Sequence, residues 1–258
     1  MKLNGNTILI TGGTSGIGYE MAKEFIKNRN TVIVTGRNEQ KLQKVKNELK
    51  GVVTIKNDVS NPDDVKALYE HVAKDYPSLN VLINNAGVMI EINLQKHQLS
   101  ATDLTKEIDI NVKGTIWMND AFIPLLKKNK NAAIVTVSSA LAFVPLPIFP
   151  VYCATKAALH SYTISLRQQL KNTDVKVFEL APPVTETELL AGFNEEDKKG
   201  LSIMPVQAMV ASFLNGFSKD KFEICPGQAS QLRFMSRFFP SFILKLLSKP
   251  VARMHATN

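Results

Sequence analysis

The chain has little cysteine and no long apolar run, and both absences narrow what it can be. Its 258 residues include two cysteines, Cys153 and Cys225, which have no metal-ligand spacing and are too few for a disulfide framework. We expect two reduced thiols and no bound metal. No stretch approaches the roughly 20 apolar residues of a membrane-spanning helix. Polar residues and glycine interrupt the N-terminal segment MKLNGNTILITGG, so it lacks a signal-peptide core, and we expect a cytoplasmic protein.

Acidic residues are absent from the last part of the chain. The net charge is +8, and residues 226–258 contribute five basic residues and no acidic one. In the rest of the chain the positive and negative charges nearly balance, and no nucleic-acid-binding motif is present. We therefore expect no nucleic acid as partner.

This basic C-terminal extension, residues 226–258, is also amphipathic. Proline cannot continue a helix, so we predict two short helices that meet at Pro240. Packing on the protein's own core or on a sister subunit is favoured, and contact with an anionic membrane surface is the alternative. The apolar residues that recur at spacings of three and four are Leu232, Met235, Phe239, Phe242 and Leu246.

Short β-branched segments alternate with amphipathic stretches along the rest of the chain. Thr7–Thr11 and Thr31–Thr35 are predicted strands, and Asp103–Lys127 and Pro150–Lys171 are predicted helices. This alternation is typical of a parallel sheet with helices on both faces. The sequence therefore predicts one α/β domain of Rossmann type, with a doubly wound parallel sheet, over residues 1–258.

A glycine-rich turn, TGGTSGIG, follows the first predicted strand. Glycines allow a tight turn and close approach of a pyrophosphate to backbone amides, and the helix N-terminus that follows attracts anions. The strand, turn and helix together predict a dinucleotide site. The residues of the turn assigned to the cofactor are Gly12, Thr14, Ser15, Gly16, Ile17 and Gly18.

Gly36-Arg37 stands at the end of the second strand, where an NAD-binding fold places an acidic residue. Without that carboxylate a 2′-phosphate is not repelled, and Arg37 can pair with it while its guanidinium stacks on adenine. We therefore predict NADP as the cofactor in preference to NAD. The alternative is that Arg37 is a solvated surface arginine, because the glycine turn has the uncharged Ser15 and no second cation for the phosphate.

Tyr152 and Lys156 are four residues apart in a predicted helix, so their side chains share one face. An unperturbed tyrosine titrates near about 10, and a neighbouring ammonium lowers the phenol pKa by favouring the phenolate. Ser139, upstream, can hydrogen-bond to the substrate oxygen that Tyr152 protonates or deprotonates. This combination predicts an acid/base site.

These motifs, together with Asn84-Asn85-Ala86-Gly87 and Asn111, resemble the short-chain dehydrogenase/reductase family over about residues 6–190. The resemblance implies that Tyr152 is the acid/base and that Lys156 binds the nicotinamide ribose and lowers the tyrosine pKa. It implies that Ser139 orients the substrate and that Asn111 supports a proton-relay water. It also implies cofactor contacts by Asp58, Val59, Asn85, Ala86, Gly87, Tyr152, Lys156, Pro182, Val184 and Thr187.

One segment departs from the family pattern, because Pro183 replaces the glycine that usually follows Pro182. A missing N–H and a fixed φ predict a stiff backbone beside the nicotinamide. This variant, with VYCATKAALHSY and the tail RFMSRFFPSFILKLLSKP, is similar to a bacterial subgroup named after the oxidoreductase of the teichoic-acid D-alanylation operon.

Two segments are expected at the substrate end. Residues 140–150 are almost wholly apolar, which suits an apolar carbonyl or alcohol substrate and suits packing in the core equally well. Residues 185–204 follow a strand and are predicted to form either a substrate lid or an ordinary surface loop.

The sequence therefore predicts an NADP(H)-dependent oxidoreductase for a small carbonyl or alcohol substrate, assembled as a homodimer or homotetramer. The alternative is a non-catalytic NADP-sensing or scaffold protein on the same fold. A sensor needs the phosphate turn but has no need of an acid/base phenol, so the set of Asn111, Ser139, Tyr152 and Lys156 favours an enzyme. A sugar-nucleotide epimerase would usually need a larger C-terminal substrate region.

Overall fold

The chain forms a seven-stranded sheet in a computed structural model that describes residues 1–193, 195–198 and 201–256. The strand order is β3-β2-β1-β4-β5-β6-β7, and all neighbours are parallel. The order reverses between β1 and β4, so a crevice opens at their carboxyl ends. The strands are β1 (Thr7–Thr11), β2 (Thr31–Gly36), β3 (Val53–Lys56), β4 (Leu79–Asn84), β5 (Ala132–Val137), β6 (Val175–Leu180) and β7 (Glu223–Ile224).

Helices connect the strands and cover both faces of the sheet, which confirms the predicted doubly wound α/β fold. They are α1 (Gly16–Lys27), α2 (Glu39–Glu48), α3 (Pro62–Asp75), α4 (Ala101–Glu107), α5 (Gly114–Leu126), α6 (Pro150–Gln169), α7 (Glu195–Lys198), α8 (Val206–Ser218), α9 (Gln228–Phe238), α10 (Pro240–Leu247) and α11 (Val251–Ala256). Ile108–Lys113 is π-helical, and Ala140–Ala142 and Glu188–Gly192 are 3₁₀ turns.

Both faces of the sheet are buried. Ile8 and Ile10 of β1 belong to the apolar layer that contains Phe25, and Leu9 belongs to the opposite layer with Phe122. All five side chains are inaccessible to water. A strand covered on both sides has no polar face, which explains the unbroken apolar runs Ile8–Ile10 in β1 and Ala132–Val135 in β5.

The predicted helix over Asp103–Lys127 is present as helical backbone from Ala101 to Leu126, but it is not α-helical throughout. α4 ends at Glu107, and the π-helical segment Ile108–Lys113 intervenes before α5. This segment carries Asn111, whose side chain is fully buried and bonds the backbone of Val88, accepting from its N–H at 2.9 Å and donating to its carbonyl at 3.0 Å. We attribute the local π geometry to these two bonds, since a single wide turn re-aims a side chain without ending the helix.

The C-terminal extension confirms the predicted break, because α9 ends at Phe238 and α10 begins at Pro240. The predicted packing on the core holds for one side of these helices only. Ala229 and Ile243 are buried, whereas Phe234 is 56% exposed. The extension therefore has a packed side and an apolar side that faces solvent.

Within residues 1–193, 195–198 and 201–256, no helix has the length and apolar character needed to cross a membrane. The same part of the chain contains no group of three or more histidine, cysteine or acidic residues arranged to hold a metal ion. Cys153 and Cys225 are unbridged thiols. Burial raises the pKa of Cys153 to about 11, so this neighbour of Tyr152 stays protonated at neutral pH.

Two phenylalanines provide a matched test of where the core ends. Phe213 in α8 is fully buried and meets Phe25 edge-on with ring centroids 6.3 Å apart, whereas Phe234 in α9 is exposed. Phe213→Ala should lower the free energy of unfolding by about 3–5 kcal/mol, because it removes buried apolar surface and leaves a cavity. Phe234→Ala should change it by less than about 0.5 kcal/mol. Urea denaturation measures both values, and equal losses would show that Phe234 belongs to the core.

Candidate active site

The candidate site is a cleft of about 590 Å³ at the carboxyl edge of the sheet. It runs from the glycine turn and the end of β2 to Ser139 and the first turns of α6. Apart from Gly18, every cofactor residue predicted from the sequence lines this cleft. These residues are Gly12, Thr14, Ser15, Gly16, Ile17, Arg37, Asp58, Val59, Asn85, Ala86, Gly87, Tyr152, Lys156, Pro182, Val184 and Thr187.

The glycine turn is held against the loop that follows β4. Asn85 Nδ2 donates to the carbonyl oxygens of Thr11 and Gly12, both at 3.0 Å. The Thr11 hydroxyl accepts from the N–H groups of Asn85 and Ala86, both at 3.1 Å. A Cβ at Gly12, where φ is +63°, would lie 2.7 Å from Ala86 Cα. Gly18 likewise allows the two loops to approach, because a Cβ there would lie 2.4 Å from Asn85 Nδ2.

The first turn of α1 is suited to hold an anion. Its N-cap residue, Ser15, has extended backbone and makes no side-chain bond to the helix N–H groups. Those donors can therefore bond ligand oxygens, and the helix dipole favours negative charge there. Gly16, with φ at +54°, opens the helix beside Thr187. The arrangement fits the pyrophosphate of a dinucleotide.

Two cations lie at the β2 end of the cleft. Arg37 is half exposed, and its Nη1 lies 3.6 Å from Asp58 Oδ2. Lys41, which sequence reasoning missed, lines the same cleft and donates to Glu188 Oε2 at 2.6 Å. Asn38 caps α2 by accepting from the Lys41 N–H at 2.9 Å. The spacing Arg37-x-x-x-Lys41 across an N-cap asparagine is the signal that could have found the second cation.

Ser139, Tyr152 and Lys156 meet at the opposite end of the cleft. Lys156 and Tyr152 share one face of α6, as predicted, and the Lys156 Nζ lies 5.5 Å from the centroid of the tyrosine ring. The same Nζ donates to the Val137 carbonyl at 2.9 Å. Ser139 Oγ accepts from the Leu141 N–H at 3.1 Å, so its own hydroxyl hydrogen remains available to Tyr152 or a ligand.

Burial controls the ionisation of this pair. It raises the pKa of Tyr152 well above its ordinary range, and a hydrogen bond to Ser139 acts in the opposite direction. Burial also lowers the pKa of Lys156 to about 8, while the negative charge of Glu107 acts to raise it. In the protein alone the net shift of the phenol pKa is therefore upward, because loss of hydration is its largest cause. The predicted lowering of this pKa by Lys156 stays a prediction.

Asn111 lies behind the cleft rather than in its lining. Besides Val88, its Nδ2 donates to Thr155 Oγ1 at 3.0 Å. Gly87 permits this approach, since a Cβ there would lie 3.2 Å from Asn111 Oδ1 and 3.6 Å from Lys156 Nζ. Asn111 thus ties the loop after β4 to α6. Its role in a water relay stays a prediction.

Sequence reasoning also missed a buried carboxyl group, Glu107, four residues before Asn111. Glu107 is fully buried, and its Oε1 accepts from the Ile90 N–H at 3.0 Å. Its Oε2 has no hydrogen-bond partner among the residues that the structure describes. Burial raises its pKa to about 7, and attraction to Lys156 acts against this. The pattern TKEIDIN gives no local sign of this burial.

Residues 140–150 belong mainly to the core. Leu146, Ile148 and Phe149 are buried, and the Phe149 ring lies 4.8 Å from that of Phe193. The core alternative therefore holds for most of this segment, and Leu141 is the large side chain that reaches the cleft. The apolar lining at this end comes from separate parts of the chain: Met89, Leu141, Leu189, Leu190, Phe193 and Leu232.

The predicted lid segment, residues 185–204, is fixed where it leaves and rejoins the domain. Thr185 and Met204 form a parallel bridge, and the Met204 N–H donates to the Val184 carbonyl at 2.9 Å. Residues 194, 199 and 200 of this segment lie outside the described residues. Leu189, Leu190 and Phe193 of this segment line one side of the cleft.

The carbonyl groups of Pro182 and Pro183, just before this segment, both accept hydrogen bonds. Ala140 donates its N–H to the Pro182 carbonyl at 2.8 Å, and Thr185 Oγ1 donates to the Pro183 carbonyl at 2.9 Å. A proline ring at residue 183 adds a fixed φ to these bonds. Both effects favour the stiff backbone predicted here.

Glu107 should make stability depend on pH. Its pKa rises from 4.5 to about 7 on folding, so between these values the folded protein keeps a proton that the unfolded chain releases. This stabilisation is complete below about pH 4.5 and is lost as the pH rises through about 7. Glu107→Gln keeps an acceptor for Ile90 but cannot titrate, so its melting temperature should fall less than that of the wild type from about pH 5 to 8.

Thermal denaturation across this range measures the effect. Glu70→Gln, which removes an exposed carboxylate on α3, is the control and should follow the wild type. A Glu107→Gln variant with the wild-type pH slope would show that another group titrates.

Comparisons with known proteins agree with this geometry. The model of the short chain dehydrogenase family matches residues 6–198. The uncharacterized oxidoreductase DltE of Bacillus subtilis (strain 168) is 43% identical over 241 residues, which span 92% of this chain and 94% of that protein. The likeness to the subgroup expected from the sequence is thereby confirmed.

The fold also recurs in solved structures. A short chain dehydrogenase from Burkholderia cenocepacia J2315, solved with NADP, has a TM-score of 0.83 at 24% identity, covering 97% of this chain and 100% of that one. A 3-ketoacyl-(acyl-carrier-protein) reductase from Brucella melitensis, solved with NADH, has a TM-score of 0.77 at 27% identity, covering 83% and 91%. With its family match and its likeness to DltE, the chain belongs to the short chain dehydrogenase family of oxidoreductases.

Proposed function

We propose that the protein is an NADP(H)-dependent oxidoreductase that interconverts a small apolar carbonyl compound and its alcohol. One observation carries the proposal: Ser139, Tyr152 and Lys156 meet at one end of a cleft whose other end is the glycine turn. The glycine turn would hold the pyrophosphate of a dinucleotide, and the end of the cleft with Ser139, Tyr152 and Lys156 would receive its nicotinamide. The bound cofactor supplies or accepts the hydride, and the protein supplies position and the proton.

The proton belongs to Tyr152 in this mechanism. Because burial keeps its pKa high, the phenol holds its proton at neutral pH and is ready to act as the acid in carbonyl reduction. The Ser139 hydroxyl donates to the same substrate oxygen and so stabilises the charge that develops there. Lys156, with a pKa of about 8, can return a proton to the phenol. Oxidation of an alcohol uses the same groups in reverse.

The charges at the β2 end support NADP as the cofactor. Arg37 and Lys41 both line the cleft. Asp58, the acid beside Arg37, accepts from the N–H and the hydroxyl of Ser60 at 2.9 and 2.6 Å, so part of its charge is engaged elsewhere. A phosphate with two guanidinium or ammonium neighbours is stabilised by charge-assisted hydrogen bonds.

The apolar lining of the far end supports an apolar substrate. An assay with a panel of aldehydes, ketones and alcohols, each with NADPH, NADH and their oxidised forms, tests the reaction directly. Binding of NADPH without turnover of any member of the panel would favour the non-catalytic sensor. A homodimer or homotetramer stays a prediction, which measurement of the mass in solution can check.

Tyr152→Phe should lower turnover by at least about a hundredfold, because it removes the group that transfers the proton. NADPH affinity, measured by fluorescence titration, should change little because the phenol does not hold the phosphates. Tyr162→Phe is the matched control on the same helix: the Tyr162 hydroxyl accepts from Asn119 at 3.4 Å and lies outside the cleft. Near-wild-type turnover by Tyr152→Phe would overturn the acid/base assignment.

Arg37→Ala should weaken NADPH binding about tenfold to a hundredfold and leave NADH binding nearly unchanged, since a charge-assisted bond contributes about 1.5–3 kcal/mol. Lys46→Ala removes an exposed charge from α2 outside the cleft and should leave both affinities unchanged. Isothermal titration with each cofactor provides the four dissociation constants. Equal affinity of the wild type for NADPH and NADH would reject the proposed preference.

A further inference from the structure

The C-terminal helices expose large aromatic side chains. Phe234 and Phe238 on α9 are 56% and 58% exposed, and Phe242 on α10 is 62% exposed. Phe239, at the junction of the two helices, is 53% exposed. Exposed apolar residues scattered singly need no explanation, but a group of this size along one segment marks an interaction site.

These side chains follow a repeated pattern. Phe234, Arg237 and Phe238 occupy positions i, i+3 and i+4 of α9, and Phe242, Lys245 and Leu246 occupy the same positions of α10. Residues at these spacings are neighbours on a helix surface. Each helix therefore presents an apolar pair with a cation beside it.

The helices are held on the protein by other residues. Ala229 and Ile243 are buried, and Leu247 packs against the apolar cluster that contains Phe149. Arg233 pairs with Glu223 and lies over the ring of Phe143, 5.5 Å from its centroid. The exposed pairs are therefore not needed to keep the helices in place.

The exposed cations lack carboxylate partners within the described part of the chain. Arg237, Lys245 and Lys249 are exposed, and no ion pair joins them to a described acidic residue. Residues 226–258 contain no acidic residue. The exposed apolar residues and these cations form the tail surface: Phe234, Phe238, Phe239, Phe242, Leu246, Arg237, Lys245 and Lys249.

We propose that the tail surface docks on an anionic lipid bilayer. A second copy of the chain, paired through the same surface, would bring like cations together, and the segment has no carboxylate to neutralise them. An anionic bilayer matches both kinds of side chain on the tail surface. Its acyl region accepts the phenylalanines, and its headgroups attract the basic side chains. The long stems of lysine and arginine let their charges reach the headgroups while the rings lie deeper.

Docking would leave the cleft on the far side of α9 from the bilayer. Leu232 and Gln228 of α9 line the cleft, while Phe234 and Phe238 of the same helix face solvent. The docking itself does not rest on the proposed function.

Flotation of the full-length protein with vesicles tests the proposal. Vesicles of phosphatidylglycerol and phosphatidylcholine in equal parts should bind the protein, and pure phosphatidylcholine should bind it at least about tenfold less. Binding at about 0.1 M salt, where the Debye length is roughly 10 Å, should weaken at about 1 M salt, where it is roughly 3 Å.

Two triple variants separate the apolar contribution from the charges. Phe234→Ser/Phe238→Ser/Phe242→Ser should lose at least about tenfold in vesicle affinity. Arg237→Gln/Lys245→Gln/Lys249→Gln should lose about a hundredfold at low salt. The charge-matched control, Lys46→Gln/Lys50→Gln/Lys66→Gln, changes exposed lysines on or beside α2 and α3 and should bind as the wild type does. All variants should keep the wild-type melting temperature and mass.

Three results would overturn the proposal. The first is that the wild type does not bind anionic vesicles. The second is that the control variant loses as much affinity as the tail variants, which would show that binding depends on the net charge of the protein and not on the tail surface. A wild-type oligomer that dissociates in the phenylalanine variant would show that a second copy covers the tail surface instead.

Discussion

The contact between Thr11 and Asn85 determines where the cleft opens. β1 and β4 are neighbours in the sheet, but their chain connections leave in opposite directions, so their two end loops diverge. Four hydrogen bonds from these two side chains hold the loops together. Gly12 and Gly18 are required because any side chain there would separate the loops. The cleft floor is therefore set by polar side chains at the end of a sheet whose strands are held by backbone bonds and apolar layers.

The close packing that shapes the cleft also removes its ionisable groups from water. Burial raises the pKa of Tyr152, lowers that of Lys156 to about 8 and raises that of Glu107 to about 7. Each shift favours the neutral form of its group, because loss of hydration is the largest cause in all three. Glu107 and Lys156 consequently titrate close to neutral pH. The charge behind the phenol then varies between about pH 7 and 8, although Tyr152 itself stays protonated.

The parts that the sequence predicted well are those fixed by neighbours along the chain. A strand, a glycine turn and a helix follow one another within residues 7–27, and the Tyr152–Lys156 spacing places both side chains on one face of α6. The missed features depend on contacts between distant residues. The π-helical segment carries Asn111, which bonds to Val88, and Glu107 just before it bonds to Ile90; no local pattern predicts either contact. Spacing likewise predicts that Tyr152 and Lys156 are close, but not how dry their surroundings are.

The C-terminal helices also show what a sequence pattern cannot predict. An amphipathic pattern tells which residues share a helix face, but it does not tell which face the protein covers. In α9, Leu232 lines the cleft and Phe234, two residues later, faces solvent, so one helix has two apolar sides with different surroundings. The inner side of α9 therefore belongs to the cleft and its outer side to the tail surface, a division that depends on what the helix packs against and not on its own pattern.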